Sequence, residues 1–289
     1  MIRGVTVEFP NKKRTGVVAV QNQRVQMAID ANGVAWVTLS RPAQHNAVDF
    51  AMLDEIAAVQ RRLRREKSVR GAIIHGEGPS FCAGLDFKSV FSSKRNLLRS
   101  VLSLYAPRRN IFQRWSMGWR DLPFPVIAVV HGHCYGAGMQ LALGADQRIA
   151  APDAKMSLME VKWGLVPDMG GPTLLRELMS IDVAKELVLS GRIVTGEEAV
   201  RLGLASRVED DPLAAAAAQI AVWAQRSPDA LAAGKFLLQD AWSDSESAAL
   251  SAERRWQRRI IGRWNQRLAM RLGLKKGSDE VFRPRTVQK

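Results

Sequence analysis

Twice in this chain a short, unbroken apolar run stops at a turn of small residues and gives way to a helical pattern. Ala72-Ile73-Ile74 leads into Ser80-Phe81-Cys82-Ala83-Gly84-Leu85-Asp86. Val126-Ile127-Ala128-Val129-Val130 leads into His131-Gly132-His133-Cys134-Tyr135-Gly136-Ala137-Gly138-Met139-Gln140. Runs of this kind read as buried strands. A strand that turns sharply into a helix leaves backbone N–H groups unpaired and aimed at whatever occupies the turn. Two such turns can aim two N–H groups at one oxygen, and small side chains let that oxygen approach the backbone closely.

The surrounding pattern sets the fold class. Val25–Asp30 and Val34–Leu39 read as strands joined across Asp30-Ala31-Asn32-Gly33, whose Asn-Gly is a hairpin signal. Phe50–Lys67 carries Met52, Leu53, Ile56, Val59 and Leu63 at helical spacing. Strand and helix patterns alternate to about residue 210, which implies an α/β layout. From Asp211 onward only helices are expected. Asp211-Pro212 and Ser227-Pro228 each pair a capping side chain with a proline at the first helical position, and a long helix is predicted over Glu246–Leu272. Residues 1–22 show no periodicity and read as an irregular extension. The division is therefore 1–22, a core over 23–210, and a helical region over 211–289.

At 289 residues the chain can bury a large core. No run approaches the ~18 apolar residues of a membrane span, and the polar N-terminus shows no secretory pattern, so a cytoplasmic protein is expected. Cys82 and Cys134 both fall in the small-residue turns and read as reduced filler. Lys and Arg number 42 against 28 Asp and Glu, a net charge of +14 that favours anionic partners. The four histidines show no zinc-ligand spacing beyond His131-x-His133, and no metal is expected.

Two further segments accompany the turns: Leu39-Ser40-Arg41-Pro42-Ala43-Gln44-His45-Asn46-Ala47 upstream, and Glu160-Val161-Lys162-Trp163-Gly164-Leu165-Val166-Pro167-Asp168-Met169-Gly170-Gly171 downstream. In order and spacing the four resemble the crotonase (enoyl-CoA hydratase/isomerase) superfamily over about residues 25–285. The resemblance implies a spiral of ββα turns with a helical tail that drives trimer or hexamer formation. It implies an acyl-CoA thioester substrate, with coenzyme A as part of that substrate and no other cofactor. It assigns the oxyanion hole to the N–H groups of Leu85 and Ala137, and coenzyme A contacts to Ala43, Gln44, His45 and Ala83. Lys275 and Lys276 resemble the basic tail that reaches the 3′-phosphate.

The same resemblance makes Glu160 the main acid/base. Its apolar flank, Ser157-Leu158-Met159, should raise its pKa; the plainer reading is a surface glutamate paired with Lys162. Gln140 stands where family hydratases place a second glutamate. An amide can orient water but cannot take or give a proton, so double-bond isomerisation is favoured and hydration is the alternative. Asp168, eight residues after Glu160, matches the interval at which dienoyl-CoA isomerases carry Glu and Asp. It could equally cap a helix beginning near Gly171.

Arg255, Arg259, Arg263, Arg267 and Arg271 recur every four residues and would form one stripe on a continuous helix. The stripe is expected to face solvent, a neighbouring subunit or a phosphate-bearing partner. A third reading makes the protein a non-catalytic binder of acyl-CoA or RNA. With only Trp256 and Trp264 interleaved, stacking platforms are few and nucleic acid is not the expected partner.

Overall fold

The two apolar runs are central strands of a seven-stranded sheet. The computed structural model describes residues 18–21, 24–90, 94–274 and 280–289, with the backbone alone for 18–21. Its strands are β1 (Val18–Gln21), β2 (Val25–Ile29), β3 (Val34–Leu39), β4 (Gly71–Gly76), β5 (Val126–Val130), β6 (His133–Tyr135), β7 (Gln147–Ala150), β8 (Lys155–Ser157), β9 (Val194–Thr195) and β10 (Arg207–Val208). The large sheet runs β1-β2-β3-β4-β5-β7-β10. Its first three strands are antiparallel neighbours and the rest pair in parallel. A small sheet, β6-β8-β9, stands apart.

The helices are α1 (Phe50–Arg65), α2 (Phe87–Val90), α3 (Lys94–Leu104), α4 (Ile111–Arg120), α5 (Ala137–Leu143), α6 (Gly171–Leu175), α7 (Ile181–Ser190), α8 (Gly196–Arg201), α9 (Pro212–Ala224), α10 (Pro228–Ala241), α11 (Glu246–Ile260) and α12 (Trp264–Leu274). Side chains alternate across a strand, and the sheet is covered on both faces accordingly. Ile73, Ile127, Val129 and Ile149 meet Ala216 and Ile220 of α9. Ile74, Ala128 and Val130 belong to the larger core on the other face, with Met52, Ile56 and Leu63 of α1 and Trp115 and Trp119 of α4. Burying six apolar side chains of α1, each worth roughly 1.5–3 kcal/mol, fixes that helix far more strongly than local propensity.

The hairpin and α1 match the sequence reading. So do the caps at Asp211 and Ser227, which accept from Ala214 N and Ala230 N. Two expectations are corrected. Val18–Gln21, inside the stretch read as irregular, pairs antiparallel with β2. The long helix expected over Glu246–Leu272 is two helices, because Ile261 adopts an extended ψ of 136° and Gly262 a φ of +73°. The arginine stripe is broken at the same point. Arg255 pairs with Asp240, Arg259 lies over the Trp256 ring, and Arg271 pairs with Glu280.

The C-terminal helices are tied to the core by buried charge. The Lys235 ammonium of α10 donates to Trp119 O, Phe124 O and Asp146 Oδ2. Buried Asp229 accepts from Thr286 N, Val287 N and Asn265 Nδ2, which lashes the irregular C-terminal segment to α10 and α12. No helix among the described residues is long and apolar enough to cross a membrane.

Candidate active site

Backbone hydrogen bonds zip the two small-residue turns together. Phe81 N donates to His131 O, Cys82 N to His133 O and Tyr135 N to Cys82 O, at 2.9, 2.9 and 3.0 Å. This approach requires glycine at 138, where a Cβ would overlap the Cys82 carbonyl. Gly132 is the other indispensable position: its φ is +54° and a Cβ there would overlap the Pro79 carbonyl oxygen. Gly132→Ala should therefore cost at least the ~1–3 kcal/mol of a strained backbone. A denaturant melt indistinguishable from that of the parent would show that the Pro79 loop yields freely.

Zipping places the two expected donors side by side. The Cβ position of Gly84 lies 3.9 Å from Ala137 N. Val48 N donates to Gly84 O and Asp86 N to Val48 O, which pins the peptides on either side of Leu85. Ala137 opens α5, where the first N–H groups of a helix have no internal acceptor. Neither Leu85 N–H nor Ala137 N–H donates to any acceptor among the described residues. Cys82 and Cys134 are free and fully buried beside them, and burial pushes the Cys82 thiol up to about 12.

Glu160 opens a 3-10 turn (Glu160–Trp163) after β8, and its Oε1 lies 3.5 Å from the Cβ position of Gly136. The carboxylate thus faces the second turn. Its other oxygen, Oε2, is buried and has no hydrogen-bond partner among the described residues. Burial raises the pKa of Glu160; the Gln140 hydrogen bond opposes that shift and the charge of Asp168 adds to it. No ion pair joins Glu160 to Lys162 among the described residues, so the surface-pair reading falls away.

Both ends of the Gln140 amide are engaged. Its Oε1 accepts from Met169 N at 2.8 Å and Gly171 N at 3.0 Å. Those two donors decide which end of the amide is oxygen, so Nε2 must face Glu160, where it donates to Oε1 at 2.6 Å. Gln140 therefore supplies to α6 the acceptor that the capping reading, one of the two open for Asp168, would have supplied. Helix α6 opens on Gly170 with no side-chain cap. Asp168 is instead an exposed side chain near Glu160, its own pKa raised by the surrounding protein.

The upstream segment docks on the first turn. Pro42–Gln44 forms a 3-10 turn, His45 and Asn46 adopt positive φ, and Ala83 N donates to His45 O at 2.9 Å. Ala43, Gln44 and His45 are exposed beside half-buried Ala83. Buried Asn46 holds the bend by donating to Glu77 O and Ser80 O while accepting from Arg41 N. The Arg41 guanidinium in turn donates to Ala47 O and Asp86 Oδ2. Lys275 and Lys276 lie outside the described residues. Among the described residues no group of three or more His, Cys, Asp or Glu could hold a metal ion.

A family model for enoyl-CoA hydratase/isomerase matches residues 30–273. The chain belongs to the enoyl-CoA hydratase/isomerase family. It is 35% identical over 211 residues to a probable enoyl-CoA hydratase of Bacillus subtilis, covering 72% of this chain and 79% of that protein. It is 30% identical over 188 residues to the fatty acid oxidation complex alpha subunit of Vibrio vulnificus, a match that spans 64% of this chain but 26% of that longer protein. Among solved structures, an enoyl-CoA hydratase-like protein of Thermobifida fusca in complex with acetoacetyl-CoA superposes with a TM-score of 0.74. It shares 32% identity over 82% of this chain and 94% of its own. Enoyl-CoA hydratase from Bacillus anthracis gives 0.82 at 25% identity, over 90% and 99%. The fold is the crotonase fold that the motifs implied, and the chain is an acyl-CoA-processing enzyme of this family.

Some features of this family member carried no local signal. The three contacts of Gln140 cross 20 to 31 residues, so nothing near it in the sequence announces them. Trp163 is 60% exposed, yet its ring packs on Phe87 with centroids 4.7 Å apart. Phe87 follows the Leu85 turn by two residues. Trp163 stands three after Glu160, and side chains three apart eclipse in a 3-10 turn. The i to i+3 spacing was the only available hint.

Proposed function

We propose that this protein moves a double bond in an unsaturated acyl-CoA thioester through an enolate. The Leu85 and Ala137 N–H groups receive the thioester oxygen as it gains charge, and Glu160 takes and returns the proton. Donors of this kind typically contribute 10²–10³ in rate each, about 2.7–4 kcal/mol. The orientation of Gln140 supports isomerisation over hydration. Its oxygen is held by two backbone N–H groups and its nitrogen by Glu160. Syn addition of water calls for a second group that trades protons, and an amide locked in this way cannot do so.

Hydration is the second reading, and it rests on relatives named hydratases. Incubation with crotonyl-CoA, a 3-enoyl-CoA and a 3,5-dienoyl-CoA separates the two. Isomerisation changes absorbance at constant mass, whereas hydration adds the mass of water. Rapid hydration of crotonyl-CoA, with no conversion of the other two thioesters, would overturn the proposal.

Asp168 extends the proposal. It is exposed, caps no helix and lies close enough to Glu160 to raise its pKa. We assign it the second proton position for a conjugated dienoyl chain. Asp168→Asn should leave stability within about 0.5 kcal/mol. It should slow dienoyl conversion by roughly 10²–10⁴ and spare the 3-enoyl reaction. Equal rates on the dienoyl substrate would remove Asp168 from the mechanism.

Coenzyme A is proposed to meet Ala43, Gln44, His45 and Ala83, with Lys275 and Lys276 toward its 3′-phosphate. No cofactor beyond the substrate's own coenzyme A is needed. A homotrimer or hexamer is proposed on the helical region, where Leu238 and Trp242 stand 57% and 65% exposed. Light scattering should report about three or six times 32.0 kDa, and a monomer would contradict it. A cytoplasmic location is proposed on the two buried free thiols.

A further inference from the structure

A second concave site lies between α1 and α4, and arginines are the majority of its lining. A groove of about 730 Å³ is lined by Arg61, Arg64 and Arg65 from the end of α1, and by Arg108, Arg109 and Arg114 from the start of α4. One carboxylate, Asp121, shares the lining, and it already pairs with both Arg64 and Arg109, at 3.2 and 2.8 Å. The side chains of Arg61, Arg65 and Arg108 have no hydrogen-bond or ion-pair partner among the described residues. The groove continues past Arg61, Arg109 and Arg114 into a neighbouring depression that adds Arg95 and Arg99, with Asp54. Eight arginines thus face two carboxylates, an excess of six positive charges in a protein whose net charge is +14.

Fold stability does not account for this cluster. Cations suit the C-terminal end of α1, where the helix dipole is negative. They are disfavoured just before the N-terminus of α4, where Arg108 and Arg109 stand. That helix end is already closed by a capping box between Asn110 and Gln113. Like charges crowded in one groove repel, and the pairs that Asp121 makes with Arg64 and Arg109 and Asp54 with Arg99 offset only part of that repulsion.

We propose that this groove is a binding site for a compact anion bearing several phosphate groups, distinct from the acyl-CoA site. Arginine forks pair with phosphate in a bidentate manner. The volume is that of a small-molecule pocket, typically 300–1,000 Å³. The lining of the first groove contains no aromatic ring and no large apolar side chain. Neither it nor the neighbouring depression offers a base-stacking ring for single-stranded nucleic acid, and the apolar side chains Leu98, Leu102 and Ile111 line only the depression.

Inorganic tripolyphosphate is the probe, titrated calorimetrically into the full-length protein over a salt series. Binding is expected to weaken as salt rises and to persist with acetyl-CoA saturating. Arg61→Ala with Arg108→Ala should lower affinity by about tenfold or more. Neither side chain has a partner to lose, so folding should be retained, and the melting curve checks this. Arg258→Ala, an exposed arginine elsewhere, should change nothing. Displacement by acetyl-CoA would make the groove part of the substrate site and overturn the proposal. Equal loss with Arg258→Ala, or no heat at millimolar probe, would reduce it to diffuse charge. An RNA 20-mer, or vesicles rich in anionic lipid, bound far more tightly than tripolyphosphate with the same arginine dependence would replace the ligand class proposed.

Discussion

Replacing Glu160 by glutamine is expected to lower double-bond migration by about 10²–10⁴, the usual contribution of a positioned acid/base. Acyl-CoA affinity should change little. The substitution is close to isosteric, and Gln140 Nε2 can still donate to an oxygen at position 160, as it now does at 2.6 Å. The loss should therefore appear in kcat rather than KM. Steady-state assays on a 3-enoyl-CoA, with acetyl-CoA titrated separately, check both halves. Full activity in Glu160→Gln would transfer the acid/base role to another group.

The same variant carries a stability signature. Burial holds the Glu160 pKa above its ordinary value. A carboxyl whose pKa is higher in the folded than in the unfolded state stabilises the fold below the unfolded value, and that contribution disappears as pH climbs through the folded value. Above that raised pKa the parent carries an ionised carboxylate with one oxygen buried and, among the described residues, unpartnered. Glutamine places no charge there, so Glu160→Gln should melt no lower than the parent at pH values above the raised pKa of Glu160. Rate and pH are linked in the opposite sense. As a base Glu160 must be ionised, so the parent's rate should rise with pH through that raised pKa, above the usual carboxylate range. The glutamine variant should lack this limb.

Local patterns in the sequence located the turns, the hairpin, α1 and the caps at Asp211 and Ser227, because each is built from contacts within a few residues. The partners of those elements were not legible. β1 exists through its pairing with β2, and a short Val-Ala-Val run does not say what it will pair with. The break after Ile260 was hidden because a single glycine costs a helix only about 1 kcal/mol, so Gly262 did not stand out within a helical pattern. At the site, Glu160 and the two donor turns could be placed from motifs. The job of Gln140 could not, since its oxygen reaches Met169 and Gly171 across the fold. Asp168 looked like a cap because of its distance from Gly171, and the amide that displaced it is 28 residues away in sequence.

Gln140→Glu should convert that structural amide into a second acid/base group. One carboxylate oxygen would take over the N–H groups of Met169 and Gly171. The other would confront Glu160 Oε1 across the 2.6 Å now bridged by Nε2–H. Two carboxylates at that range do not both ionise, so they should share a proton and titrate as a pair. Such a pair can hold a water and trade protons with it, as syn hydration requires. Conversion of crotonyl-CoA to a product heavier by one water should therefore rise by about 10²–10⁴. Migration of the 3-enoyl double bond should fall, because the new charge raises the pKa of Glu160 further and leaves less of it ionised. Mass and absorbance measured on one time course follow both reactions. If the parent already hydrates crotonyl-CoA at about 1–10³ s⁻¹, or the variant gains nothing while still binding acetyl-CoA, then Gln140 does not decide the reaction and the isomerase reading fails with it.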